Sequence, residues 1–470
     1  MLEIGLAGED ITPEEAVPLF GYGDRSHDSQ GVHDPLYVYA WWLRCTGSPP
    51  FVWLVLDLCV LSPESVRSLA DAIRERLGDG EVDVERILIS TTHTHSGPDT
   101  LDLAKDGRPW ARRYYQRLVE QSAAAVRRAR NGAHAGFLEV RTGRGALGVN
   151  RRDPKLPVDP RIVVLSAVDS GGELRGIVFH YGCHLTVLGK DNYQISADWL
   201  GPVRARLEQE LGVPVFFVQG AEGNVDPAPR GALNMADPEQ ARGSSFEVME
   251  RLAAELSESI LAALDTSALV KVGRLETRGL QTTLPLRYGP LSENEVRAKV
   301  RGWKEDFAGF LGIPIEEVPE EFVINARIKE RCRELGSSPE EVRRWVSRLF
   351  AYTAFLHLAR GAPSDAADGS PGTAVHSGRM SLTAMLLDFG ALVILSVPAE
   401  ILLEVALEWQ ERLSDRVALV AGLAGGWVGY LPHETNYREE GASERYETVS
   451  TVFAPEAAGR LLDDAVRRLA

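Results

Sequence analysis

Hydrophobic and polar positions along this chain follow two alternating rhythms. Runs such as LYVYAWWLR, centred on 37–44, and FVWLVLDLCVL are nearly continuous in apolar, β-branched and aromatic residues, as strands buried on both faces require. Between such runs, apolar residues recur at helical spacing, which predicts helices over 63–77 and 110–130. The run RILIST predicts a further strand, and the pattern continues with strands over 137–141, 162–167 and 176–181, a helix after Asp198 and the strand VPVFFVQG. MSLTAMLLDFGALVILSVPAE, a helix, the strand VALVAGL and a final helix complete the chain. Strand, helix and strand in succession predict an α/β fold: a mixed sheet layered with helices, in a single large domain over 1–470.

One stretch breaks the rhythm. From 292 to 360 the sequence becomes charged and helical, with SENE and SSPEE reading as capping boxes. GAPSDAADGSPGTAVHSG follows, too rich in Gly, Ser, Pro, Ala and Asp to build a core, and reads as a flexible loop. Residues 291–378 are therefore expected to form a helical insertion with a loop, able to serve as a lid, an oligomer contact or a solvated decoration.

Composition narrows the partners. The chain has 470 residues, 44% of them hydrophobic, enough for a sizeable core. Its 67 acidic against 51 basic residues give a net charge of −16, without a dense Lys/Arg run, which disfavours nucleic acid and stable association with an anionic membrane. A small-molecule substrate is the expected partner, and a homo-oligomer is compatible with the sequence. The N-terminus MLEIGLAGEDITPEE has no secretory pattern and no apolar run is long enough to span a bilayer, so a cytoplasmic location is expected. Cys45, Cys59, Cys183 and Cys332 lack metal-site spacing and read as buried small hydrophobes, although Cys45 and Cys59 could face each other on neighbouring strands.

Chemistry concentrates at strand ends. In ISTTHTHSGPDT, strand alternation would place His93 and His95 on the same side, with Gly97-Pro98 ending the strand beside them. FHYGCHLTVLG offers His180 or His184, VILSVPAEILLE places Glu400 at a predicted helix start, and AGLAGGWVGYLPHETNY holds Tyr430, His433 and Tyr437. GAEGNVDPAPR and VNRRDP add Glu222, Asn224, Asp226, Asn150 and Arg151, all compatible with ordinary turn chemistry. Imidazole and oxygen donors on several strand ends are what a catalytic zinc site requires.

These motifs, in this order, resemble the catalytic domain of the neutral/alkaline, non-lysosomal ceramidase family. The resemblance rests on GYG…QGVHDPLYVYA, STTHTHSGP, NRR, CHLTVLG…ISADWLG, FVQGAEGNVDP, VPAE and GYLPHETNY…RYE, and spans most of the chain. It implies zinc held by His93, His184, Glu400 and Tyr430. It also implies that His95 hydrogen-bonds the substrate or its developing oxyanion, that Arg151 and Tyr446 contact the substrate near the scissile amide, and that Asp198 caps a helix. The reaction implied is hydrolysis of an amide (C–N) or related bond by metal-bound hydroxide.

The chain departs from that pattern in one place that matters. Where ceramidases read Gly-Asp-Val-Ser-Pro, with the serine assigned to the reaction centre, this chain has Asp226. An ionised carboxylate cannot donate, would repel a fatty-acid product and would attract a cation or a hydroxyl-rich substrate; Asp99 pushes the same way. The family's C-terminal immunoglobulin-like domain is not expected. The reading is thus a ceramidase-like zinc hydrolase for a small polar substrate. A zinc-dependent lyase or isomerase on a sugar-like or hydroxy-acid substrate, with Asp226 and Glu222 as acid or base, is the second enzyme reading. A catalytically inactive ligand-binding homologue is the third.

Overall fold

The computed structural model describes residues 2–22, 25–78, 80–228, 245–291, 293–318, 334–336, 376–442 and 445–470. Their mixed α/β architecture contains two principal sheets where the sequence suggests one. The larger has nine strands among the described residues, running in the order Val215–Gln219, Leu174–Tyr181, Arg161–Asp169, His134–Arg144, Leu2–Asp10, Tyr37–Cys45, Phe51–Leu56 and Ile87–Thr91. The short strand Val270–Val272 pairs with His134–Arg144. Pairing is parallel at both ends of this order and antiparallel in the middle. The smaller sheet runs Glu276–Leu291, His376–Asp388, Leu392–Ser396 and Val417–Ala421, and its last pair is parallel.

Alternation along the strands explains how the sheets are covered. In Tyr37–Cys45, residues Val38, Ala40 and Trp42 pack with the helices Pro63–Leu77 and Pro109–Asn131, whereas Tyr39, Trp41 and Leu43 face the opposite way. There they meet Leu387, Ile394 and Leu419 of the smaller sheet, and Phe389 in the turn between two of its strands, in one continuous apolar layer. Trp41 stacks on Trp53 and on Phe389, with ring centroids 6.1 and 6.2 Å apart. The helices Leu200–Leu211 and Phe246–Leu264 cover the other half of the large sheet, and Leu403–Arg412 with Ala457–Leu469 cover the small one. Fully buried strands with no polar face are the consequence of sheets covered on both sides.

The expected helices at 63–77 and 110–130 are present with boundaries within a residue. Leu2–Asp10 and the long strand Glu276–Leu291 have weak sequence signals and owe their existence to pairing. The expected insertion leaves from Leu291 and returns at His376, which are register partners on adjacent strands, so the sheet closes without it. The helix Glu293–Leu311 lies within the insertion; most of it, including the SSPEE start, the Gly/Ser-rich loop and Cys332, lies outside the described residues. Cys45 pairs in register with Leu2 and accepts from the Leu275 amide, so it does not face Cys59. Among the described residues no helix is long and apolar enough to cross a membrane.

Candidate metal centre

The carboxyl-terminal ends of the parallel strands of both sheets meet in one region, stitched together by Gly422 N–H donating to Gln219 O and Gly425 N–H to Ile89 O. Ile87–Thr91 delivers His93 there, but not by strand alternation. The strand stops at Thr91, and His93 adopts a left-handed φ of +71°, an uncommon conformation for a side chain of this size. The turn sets the His93 and His95 rings at 89° to each other, with their Nε2 atoms 3.3 Å apart. Gly21, at φ +99°, lets the chain pass so close to His95 that a Cβ there would lie 2.4 Å from the ring.

His184 follows Leu174–Tyr181 through a short connection, held by its own N–H to Val225 O and by Trp199 Nε1 donating to its carbonyl. Glu400 follows Leu392–Ser396. It is not in a helical first turn, as the sequence suggests: the helix starts at Leu403, and Glu400 pairs in parallel register with Tyr430.

Three donors converge. The atoms of His93, His184 and Glu400 that could bind an ion lie within 4.8 Å of one another. His93 donates Nδ1–H to Cys59 O at 3.0 Å and His184 donates Nδ1–H to Glu222 O at 2.8 Å. Those bonds turn both Nε2 atoms toward Glu400 Oε2, at 3.4 and 3.3 Å. Trp427 Nε1 donates to Glu400 Oε1 at 2.8 Å, while Oε2 is buried with no hydrogen-bond partner among the described residues. Two oriented imidazoles and one uncommitted carboxylate oxygen fit a zinc ion. Cys59, His93 and His95 form an alternative cluster, but the Cys59 thiol approaches His93 at Nδ1, the nitrogen already engaged by a carbonyl.

Charge is unevenly shared within this region. Burial opposes a charge on Glu400, yet His93 and His184 outweigh it and hold the carboxyl well below its usual range. Burial, with the neighbouring His93 and His184, pulls His95 well below the usual imidazole range, so it is neutral at pH 7. Burial, reinforced by Glu400, pushes the Tyr430 phenol well above its usual range.

Arg151 closes the other side. Its Nη1 lies 3.4 Å from His184 Nε2 and 3.5 Å from Asp226 Oδ1, and its Nε donates to Glu447 Oε1 at 2.6 Å. Its guanidinium sits over the rings of Tyr430 and Tyr446, 5.5 and 5.8 Å from their centroids. Arg152 binds the second oxygen of Glu447 at 2.8 Å, so both arginines share one buried carboxylate. Asp226 is thus ion-paired, which alters the expectation drawn from its sequence: its charge is matched by Arg151 before any substrate arrives.

Other candidates are committed elsewhere. His180 donates Nε2–H to Val420 O, His433 pairs with Glu408 and caps the turn Glu434–Tyr437, and Tyr437 donates to Phe453 O. Asn224 joins Glu404 and the Leu403 N–H at the start of a helix, and Asn150 braces a turn through Arg152 N–H and Pro157 O. Asp99 pairs with Arg108. Asp198 is not the helix cap; it accepts from Val187, Leu188 and Trp199 N–H and so shapes the loop after His184. Glu222 differs from these: both carboxylate oxygens are buried with no hydrogen-bond partner among the described residues, and burial pushes its pKa up to about 8. Sequence reasoning missed Trp427 and Glu447, since neither an indole near a Gly-rich loop nor a helical Glu is a distinctive signal.

The model of the family described as neutral/alkaline non-lysosomal ceramidase, N-terminal, matches residues 2–236, half of the chain. The chain is 26% identical to neutral ceramidase of Pseudomonas aeruginosa over 252 residues, 47% of this chain and 36% of that protein. It is 22% identical to neutral ceramidase B of Dictyostelium discoideum over 257 residues, 49% of this chain and 36% of that protein. The matched part is thus about a third of the length of these relatives. The crystal structure of the Pseudomonas aeruginosa neutral ceramidase superposes with a TM-score of 0.68 at 20% identity, over 99% of this chain and 74% of that one. A ceramidase complexed with C2 gives 0.67 at 19% identity, over 99% and 75%. With the family pattern running from the first strand past the Asp226 loop, and the same fold continuing through the Glu400 and Tyr430 strands, this chain belongs to the neutral/alkaline non-lysosomal ceramidase family.

Proposed function

We propose that this protein is a zinc-dependent hydrolase that cleaves an amide (C–N) or related bond of a small polar substrate. The observation that carries the reading is Glu400 Oε2, buried, with no hydrogen-bond partner among the described residues and facing the Nε2 atoms of two imidazoles whose other nitrogens are tied to carbonyls. His93, His184, Glu400 and Tyr430 would hold the zinc, whose chemistry is to activate water near pH 7 and polarise a carbonyl.

The remaining roles fall to the chain's own groups. His95, neutral and perpendicular to His93, presents a ring nitrogen that can donate to a developing oxyanion. Arg151, fixed by Glu447 and sandwiched near Tyr430 and Tyr446, supplies a permanent positive charge on the opposite side. Tyr446 bounds the space above Tyr430, ring to ring at 5.4 Å. Asp226 steadies Arg151 where the family serine would offer a hydroxyl, which favours a substrate other than ceramide. Glu222 keeps a buried, neutral carboxyl behind His184, whose Nδ1–H it accepts on its backbone carbonyl.

The test is a screen of zinc-loaded protein against N-acyl amino acids, lactams, acyl sugars and short-chain ceramides in ¹⁸O-labelled water. Hydrolysis places the label in the acid product, whereas a lyase or isomerase leaves none. Metal analysis of His93→Ala and Glu400→Ala accompanies the screen; stoichiometric zinc in both would remove the assignment.

A further inference from the structure

The segment that wraps His95 carries a cation, Arg25, whose outer edge makes no hydrogen bond among the described residues. Arg25 donates from Nη1 to His95 O at 2.6 Å and to Phe20 O at 2.7 Å, which fixes the guanidinium against the backbone of the THTH turn. Its Cζ lies 4.9 Å from the centroid of the Tyr22 ring, and Tyr22 in turn meets the His95 ring edge-on, centroids 5.0 Å apart. Nε and Nη2, the two donors on the other edge, are buried and have no hydrogen-bond partner among the described residues.

That edge has a defined complement. Elsewhere in the same chain Arg108, Arg113 and Arg161 each turn Nε and Nη2 to a single carboxylate: Asp106, Glu15 and Asp159. The fork matches two carboxylate oxygens in one plane. Arg25 presents the same fork with no carboxylate on it among the described residues, and burial lowers its proton affinity more than the nearby Tyr22 and Asp191 raise it. Leaving a buried charge uncompensated is costly, more so when two strong donors are also left unmet.

We infer that Arg25 is the anion-binding element of the substrate site, and that the substrate carries a carboxylate a few bonds from the scissile bond, as in an N-acyl amino acid. The inference rests on the hydrolase reading above and deepens it. Arg25 holds the backbone carbonyl of His95 and packs on Tyr22, which touches the His95 ring, so the fork and the imidazole assigned to the oxyanion belong to one packed unit. Arg25 is here a specificity-determining residue: it selects the substrate's charge and takes no part in bond breaking. A neutral lipid amide offers that fork nothing, in keeping with Asp226 replacing the family serine.

The experiment compares N-acetylglycine with N-acetylglycinamide, which differ only in the charged group. Both are titrated calorimetrically into zinc-loaded protein and followed for turnover in the same samples. The wild-type protein is expected to bind the acid at least about tenfold more tightly than the amide, the scale of a charge-assisted bidentate contact. Arg25→Gln should reduce that preference to about twofold or less. Arg25→Lys, which keeps the charge and the fold but loses the planar fork, should lose most of it and carries the test if the glutamine variant does not fold. Equal binding of acid and amide by the wild type, an undiminished preference in both variants, or tighter binding of inorganic phosphate than of N-acetylglycine would each overturn the inference. Turnover of neutral amides with no acid preference overturns the anion site and leaves the hydrolase. Acid preference in binding without turnover of any amide in the screen does the reverse.

Discussion

Trp427 donates its indole N–H to Oε1 of Glu400 at 2.8 Å, and this single bond decides which carboxylate oxygen faces the two histidines. Partners of this kind hold a ligand in its binding orientation and typically account for 10–100-fold in metal affinity. Trp427→Phe keeps the ring and removes the donor. Chelator competition should show zinc affinity weakened within roughly that range, and an unchanged affinity would show that the indole does not orient Glu400.

Gly21 is positioned for close approach rather than for flexibility. Gly21→Ala combines a left-handed backbone with a Cβ 2.4 Å from His95 Cγ, whereas Gly47→Ala at φ +81° meets nothing within 4 Å. Both variants carry backbone strain of about 1–2 kcal/mol. Only Gly21→Ala should lose further stability in denaturant unfolding and also reduce turnover, because His95 has to move. Equal losses in the two variants would dissociate Gly21 from His95.

Glu222 makes stability depend on pH in a direction opposite to that of a salt-bridged acid. Its pKa rises from an ordinary 4.5 to about 8 on burial, so the folded state binds the proton more tightly than the unfolded state. The corresponding stability is fully present below about pH 4.5, declines as pH rises, and is exhausted beyond about pH 8, with a slope of at most about 1.4 kcal/mol per pH unit. Glu222→Gln, neutral throughout, should flatten this part of the profile in urea unfolding with chelator present. A variant that retains the full slope would place the titration elsewhere.

Asp226 belongs to the Arg151 ion pair, 3.5 Å from Nη1, in a fully buried setting. Asp226→Ser restores the family's residue type but leaves Arg151 with Glu447 as its ion-pair partner. Denaturant midpoints should report a loss of about 1–3 kcal/mol. A stable serine variant would show that Arg151 is satisfied by Glu447 and that Asp226 has another purpose.

Much of this molecule was legible from residue order. The helix Pro63–Leu77 declares itself by apolar spacing, a Ser62 cap and Gly78 after its end, all of them local properties. Tyr37–Cys45 and Phe51–Leu56 declare themselves by unbroken apolar runs. Leu2–Asp10 does not, because its three glycine and alanine positions carry little hydrophobic signal and its strand state comes from pairing with Tyr37–Cys45 and His134–Arg144.

The sequence by itself marked the element types and the order of motifs that identifies the family, and through that resemblance pointed to His93, His184, Glu400 and Tyr430 as the proposed donors. Those depend on local spacing and on residue chemistry. The tertiary structure alone decided that a second sheet covers the first, that His93 turns through a left-handed conformation, that Arg151 pairs with Asp226, and that the Arg25 fork is unfilled among the described residues. Each of these depends on which loops from distant strands meet at the common sheet end, and long-range pairing of that kind leaves no periodic trace in the chain.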